Sequence, residues 1–203
     1  MGLGFDKSKE GSKKEKKDLG RLADGTYVAK VCQIIDLGRQ YIRDWQTDEI
    51  MKWDDGNPQI KEKVWITFEF PSETIELTDA EDNTETVSRI LGKEYLKSTH
   101  EKAALTGLIQ AVNKDANGFT DLMGKYCLVT VGSTSGGKAK VVGLAPLMAG
   151  IDTPEGICDE LVFDMDNPDE SVMDKLPKFI QEEIRKSHDW VEPEADKEED
   201  VPF

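Results

Sequence analysis

The sequence is short of the residues on which metal sites and disulfide scaffolds are built. It holds three cysteines and two histidines in 203 residues. Cys32, Cys127 and Cys158 lie far apart, no CxxC occurs, and His100 and His188 stand at no ligand spacing from them. An odd, dispersed set of cysteines argues against a zinc site and a disulfide framework, and leaves reduced thiols in a cytoplasmic compartment as the expectation. No apolar run approaches the ~20 residues of a membrane-spanning helix. The first 22 residues are Lys-rich without the apolar stretch of a secretory signal, so neither a membrane nor a secretory route is expected. Hydrophobic residues make up only 37% and charged residues 33%, which implies a modest core with solvated extensions.

Catalytic signatures are missing as well. Acidic residues abound, but no motif sets two of them against a base, a metal or a nucleophile. Asp164-Met165-Asp166-Asn167 lacks the glycine and terminal glutamate that a calcium loop requires. Gly132-Ser133-Thr134-Ser135-Gly136-Gly137-Lys138 fills the first seven positions of a phosphate-binding P-loop. The eighth is Ala139 where a magnesium-binding hydroxyl belongs, and Lys140 to Leu144 reads as a strand where a helix should follow. The segment is better read as a hairpin loop carrying Lys138 and Lys140. No cofactor and no enzymatic activity are expected.

What the sequence does have is charge of one sign at one end. Residues 1–143 hold 21 Lys and Arg against 23 Asp and Glu, a net of −2, while residues 144–203 hold 5 against 18, a net of −13. The formal charge of −15 therefore belongs to an acidic final third appended to a near-neutral body. Such asymmetry marks an interaction segment and leaves the body free to bind a polyanion.

Residues 1–20, centred on Lys13, Lys14, Lys16 and Lys17, read as a flexible basic arm. A body over 21–147 follows. Thr26 to Ile35 has strand character and ends near Gly38. Residues 46–60 are polar and contain the turn Asp54-Asp55-Gly56-Asn57-Pro58. Lys61 to Phe70 is the strongest strand, with Val64, Ile66, Phe68 and Phe70 on one face and Pro71 as its stop. Weaker strands are expected within 73–91 around an acidic turn. Ser98 to Lys114 reads as a helix, with Ser98 and Glu101 forming a capping box and Ala104, Leu105, Leu108, Ile109 and Val112 an apolar stripe. Lys125–Val131 and Lys138–Leu144 read as a hairpin. Strands, helix, hairpin is the order of a mainly β, five-stranded Greek-key barrel of the OB type with one internal helix. An acidic extension over 148–191 adds Leu161-Val162-Phe163 as a short strand or anchor and a helix over 171–188. The tail, 192–203, reads as disordered.

Two constellations suit binding. Arg39, Tyr41, Arg43 and Trp45 alternate along one strand face. Lys61, Lys63 and Trp65 share the non-core face of the next strand, and Lys52 and Trp53 lie between. Cations for phosphates beside flat rings for unpaired bases form the mixture that single-stranded nucleic acid requires. The other reading makes Tyr41, Trp45 and Trp65 core residues of a small barrel. The tail carries six carboxylates against Lys197 alone and ends in Val201-Pro202-Phe203. There a proline-stiffened aromatic tip and a free carboxylate suit capture by a partner's pocket.

That tip resembles the end of bacterial single-stranded DNA-binding proteins, an acidic run followed by Ile-Pro-Phe, matched here by Glu199, Asp200, Val201, Pro202 and Phe203, with Val201 in place of Ile. The whole layout is most similar to bacteriophage single-stranded DNA-binding proteins, which end an OB-fold body with an acidic tail and terminal Phe. The resemblance implies a body that coats single-stranded DNA in the host bacterial cytoplasm during replication, recombination or repair. It also implies a tail, through Asp200, Val201, Pro202 and Phe203, that recruits a polymerase, helicase, primase or nuclease. It departs from the bacterial proteins in having a helical segment where they carry a Gly/Gln-rich linker. That argues against their tetramer and leaves a homodimer as an option. The competing expectation is an acidic adaptor or DNA mimic without affinity for single strands.

Overall fold

The computed structural model describes residues 21–44, 46–78, 82–98 and 100–191. The expected arm (1–20), Trp45 and the tail (192–203) lie outside the described residues. The described chain is mainly β. Six strands run in the order β1 (Gly25–Tyr41), β2 (Ile60–Thr78), β3 (Thr84–Leu96), β4 (Tyr126–Ser133), β5 (Ala139–Pro146) and β6 (Leu161–Phe163). Helix α1 (Ala104–Val112) and a 3-10 turn (Phe119–Leu122) separate β3 from β4, and α2 (Glu170–Met173) and α3 (Lys178–Arg185) follow β6. The spatial order of the sheet is β3-β2-β1-β4-β5, with every neighbouring pair antiparallel. β6 adds to β1 in parallel, at Gln33 to Ile35. β3 and β5 approach one another, and α1 packs against both.

The alternation expected in β2 is present. Val64, Ile66, Phe68 and Phe70 are buried in a core with Val31, Ile34, Val129 and Val131 of the neighbouring strands and Leu105 and Leu108 of α1. Several boundaries differ from expectation for identifiable reasons. Pro71 does not stop β2. It falls where the β2–β3 register slips between Phe70 and Thr74, so its missing N–H costs no ladder bond. The expected weak strands in 73–91 are the far end of β2 and the start of β3, one long hairpin. The Ser98–Glu101 capping box does not form. The helix starts at Ala104, with Ala103 as an N-cap that makes no side-chain capping bond, and the Thr106 hydroxyl donates to the carbonyl of His100 (2.8 Å) across the turn that leads in.

The acidic extension builds a second core on the outer face of the sheet. Leu161, Phe163, Met165, Met173, Leu176, Ile180 and Ile184 bury Ile35 and Leu37 of β1. The helix expected over 171–188 is two short helices broken at 174–177, with Asp169 capping the first by accepting from Ser171 N and Pro177 at the N-cap of the second. Polar clamps fix the cover in place. The fully buried Glu69 accepts from Ile157 N (2.6 Å) and Cys158 N (2.9 Å). Lys30 pairs with Glu160 at 2.6 Å, and Tyr126 donates to the carbonyl of Pro154 at 2.7 Å. Gly38, at φ +64°, lies where a Cβ would run into the Ser187 hydroxyl, so the last turn of the extension can close only over glycine.

Phe163→Ala is expected to destabilise the protein by about 3–5 kcal/mol in urea unfolding, the usual cost of emptying an aromatic core site. A loss under about 1 kcal/mol would show that the extension opens separately from the body.

Candidate nucleic-acid interface

The described part of the connection between β1 and β2, residues 42–44 and 46–59, is a hydrogen-bonded excursion. Its strands touch through isolated bridges, Arg43 with Ile50 and Lys52 with Pro58. The backbone of Met51 donates to Ile42 O and that of Gln59 to Met51 O, both at 2.8 Å. Asp44 accepts from the N–H groups of Gln46 and Thr47, and these bonds, that of Thr47 foremost, hold its carboxyl below the usual carboxylate range. At the tip, Trp53 N donates to Asn57 O and Gly56 N to Trp53 O, and Gly56 supplies the positive φ of the turn. The turn signal in the sequence therefore marks a built hairpin, and the hairpin presents Trp53 with half its surface exposed (50%).

Lys61, at the start of β2, extends its Nζ over the Trp53 ring at 5.8 Å from the centroid. It also lines a cavity of about 670 Å³ with Lys97, His100 and Lys102. Lys52, next to Trp53 on the same hairpin, is exposed. The structure thus brings together Lys52, Trp53 and Lys61 from the expected set, and adds basic groups that sequence reading missed. Lys97 and Lys102 come from the turns between β3 and α1, and only the folded chain sets them in one cavity with Lys61. Two carboxylates, Glu62 and Glu94, share the cavity, and Lys97 is tied to Asp36 at 2.6 Å.

The other expected cations are less free. Arg39 is held by the extension: its backbone N–H and its Nε donate to Asp189 at 2.7 and 2.6 Å. Lys63 pairs with Glu94 at 3.0 Å. Arg43 donates to the carbonyl of Asp48 at 2.8 Å and faces its carboxylate at 3.6 Å. Tyr41 meets the His188 ring edge-on at 4.3 Å. Tyr41, Arg43 and Lys63 nonetheless line one polar cavity of about 550 Å³ together with Lys186 of the extension. Trp65 is half-covered. Its ring lies where a side chain on Gly92 of β3 would be, and Phe179 of α3 packs edge-on to it at 5.6 Å. It therefore packs with the second core on the outer face, outside the barrel core to which the competing reading assigned it.

Lys138 and Lys140 stand apart from the rest. Thr134 N donates to Lys138 O at 2.8 Å to close the β4–β5 hairpin, and Lys140 lies opposite Gly132, beyond the end of β1 that begins at Gly25. Tyr41 closes the opposite end of β1, across from Ile60. The two groups therefore stand at opposite ends of the 17-residue β1, roughly 55 Å apart along its path at ~3.3 Å per residue. Trp45 and the tip expected to bind partners (Asp200, Val201, Pro202, Phe203) lie outside the described residues. No protein-family model matches the chain, and neither does a curated protein or a solved structure.

The Arg39–Asp189 contact makes a pH prediction. Burial pushes the Asp189 carboxyl up, but the N–H and guanidinium of Arg39 outweigh it and leave the carboxyl below its ordinary value. A carboxylate depressed in the folded state stabilises it fully above the unfolded value of about 3.9, and the contribution is lost as pH falls through the folded value. Asp189→Asn should therefore lower the urea midpoint at neutral pH, with the gap to the wild type closing in acid. A gap independent of pH would rule out this linkage.

Proposed function

We propose that the protein is a sequence-independent single-stranded DNA-binding protein of the bacteriophage type, built on an OB-type barrel. The observation that carries this reading is the exposed Trp53 with Lys61 over its ring, on an ordered hairpin beside a cavity lined by further basic groups. A flat ring with a cation at its face offers a base a stacking partner and a phosphate a counter-charge at once. The strand order β3-β2-β1-β4-β5, the helix between β3 and β4, and the approach of β3 to β5 suit the OB arrangement. In that arrangement oligonucleotides bind the β2–β3 face and the β1–β2 and β4–β5 loops. Trp53 and Lys52 belong to the first of those loops, Lys61 and Lys63 to β2, and Lys138 and Lys140 to the second loop and the strand it opens into. On this reading the protein coats exposed strands in phage replication, recombination or repair, and the tail tip at Asp200 to Phe203 recruits partner enzymes.

A second reading, an acidic adaptor or DNA mimic, is favoured by one observation. Arg39, Arg43 and Lys63 each face a carboxylate of this same chain, which reduces the positive potential they offer to a polyanion.

Titration with oligo-dT separates the two. Salt-sensitive binding with quenched tryptophan fluorescence is expected, and no binding at low salt would end the first reading. Trp53→Ala should weaken binding by about 5- to 150-fold, the ~1–3 kcal/mol of one base–ring stack. Deleting residues 194–203 should tighten DNA binding by removing carboxylates while abolishing capture of replication enzymes. The adaptor reading requires no DNA binding with or without the tail.

A further inference from the structure

An apolar groove of about 700 Å³ runs between the far end of the β2–β3 hairpin and the start of β5, at residues the interface described above does not use. Every residue from Glu85 to Leu91 lines it. Successive strand residues point to opposite faces, so an unbroken run of lining residues means that the groove follows an edge of β3 and not one of its faces. β2 holds the other edge, and among the described residues no strand pairs with this one. Apolar side chains wrap it from both sides. Ile75, Leu77 and Val87 stand on one, Ile90 and Ile157 on the other. Leu77, Ile90 and Ile157 are exposed. Ser88, within the same run, buries its hydroxyl without a hydrogen-bond partner, and a buried hydroxyl calls for one. An edge of this kind accepts a further strand.

Position, pattern and charge say which strand. The first described residues, Arg21 and Leu22, line the groove. Arg21 donates to the Gly137 carbonyl (3.0 Å) and to the Ser133 hydroxyl, beside the start of β5. In the twenty residues ahead of it, Met1, Leu3 and Phe5 recur at period two with Gly2 and Gly4 between them. Extended, the three apolar residues share one face, and glycine lets the other face approach closely. Residues 71–88 hold six carboxylates, Glu73, Glu76, Asp79, Glu81, Asp82 and Glu85, and no Lys or Arg. Residues 6–20 hold six Lys against four carboxylates. The same fifteen residues reach up to ~50 Å extended, about twice the ~24 Å of β3 edge from Glu85 to Leu91, so the arm can pass along the hairpin and turn back. The acidic tail fits poorly, because its six carboxylates against Lys197 repeat the sign of the hairpin.

We propose that this edge of β3 is the docking site of the chain's own N-terminal arm, with Met1, Leu3 and Phe5 entering the groove as an added strand and Lys13 to Lys17 lying against the acidic β2–β3 hairpin.

The arm thereby completes a sheet edge, independently of whether the body binds nucleic acid. The test uses the full chain with Phe5 replaced by the photo-reactive p-benzoylphenylalanine, irradiated, digested and mapped. Links from position 5 to 75–77 or 85–91 of the same chain are expected. Glu76→Lys combined with Glu85→Lys should lower their yield several-fold, and high salt should act in the same direction. In the otherwise unaltered chain, Leu3→Glu combined with Phe5→Glu should speed amide exchange within 85–91 by about tenfold or more. Links to the β1–β2 hairpin or to the outer face of β1 would overturn the proposal, as would exchange in 85–91 that the double glutamate variant leaves unchanged. Links between two chains would give the groove to the arm of a second copy. Exchange that quickens only on deletion of residues 194–203 would give it to the tail. Either result also overturns the proposal.

Discussion

A strand in the middle of a sheet has two edges to satisfy and two faces to cover, and β1 must do all of this within one 17-residue run. Its first half pairs with β4 on one edge, its second half with β6 on that same side, and β2 takes the other edge from Lys30 to Tyr41. Its inner face carries Ala29, Val31 and Ile34 into the main core, and its outer face carries Ile35 and Leu37 into the second. The body alone would leave that outer face, and the edge past Lys30, open to water or to another chain's strand. The extension is therefore part of the fold: β6 supplies the missing edge and α2 and α3 the missing cover.

That dependence explains why some of the structure could be read from sequence and some could not. The inner face of β2 follows strict alternation from Val64 to Phe70, and a period of two needs no knowledge of the partner strand. In β1 the phase changes. Core positions fall on odd numbers up to Val31 and on an even number at Ile34, because the chain slips register around Cys32. In sequence the switch shows only as an apolar run from Val31 to Leu37 interrupted by Gln33 and Asp36. The burial of Glu69 was equally illegible, because its partners are the N–H groups of Ile157 and Cys158, and a distant backbone segment leaves no mark on the local pattern. The same holds at the candidate site. Arg39 and Trp65 sit at alternating positions that look solvent-facing, and it is the distant residues Asp189 and Phe179 that engage them. Trp53 and Lys61 were legible because their environment is local: a turn signal builds the hairpin, and the first residues of β2 return beside it.

The charge of the extension divides in the same way. Glu160 and Asp189 are spent on the body's own cations, Lys30 and Arg39. A paired carboxylate contributes to docking and little to the outward field, whereas unpaired ones repel a polyanion within about a Debye length, ~8–10 Å at moderate salt. The outer face of β1, beneath α2 and α3, is thus closed to nucleic acid twice over, by cover and by charge.

Closure of that face sharpens what binding at the candidate site would require. A single strand cannot lie across the outer face of β1 unless the second core opens, and that core buries Ile35, Leu37, Phe163 and Ile184 together. Apolar burial stabilises by ~25 cal/mol per Å², so prying the cover away would cost several aromatic and aliphatic side chains at once. A route over the β1–β2 hairpin, along Trp53 and Lys61 and into the cavity beside Lys97 and Lys102, asks for no such opening. The proposed interface therefore lies at the rim that the extension leaves uncovered. The long β1–β2 excursion supplies that rim with its exposed aromatic ring, Trp53.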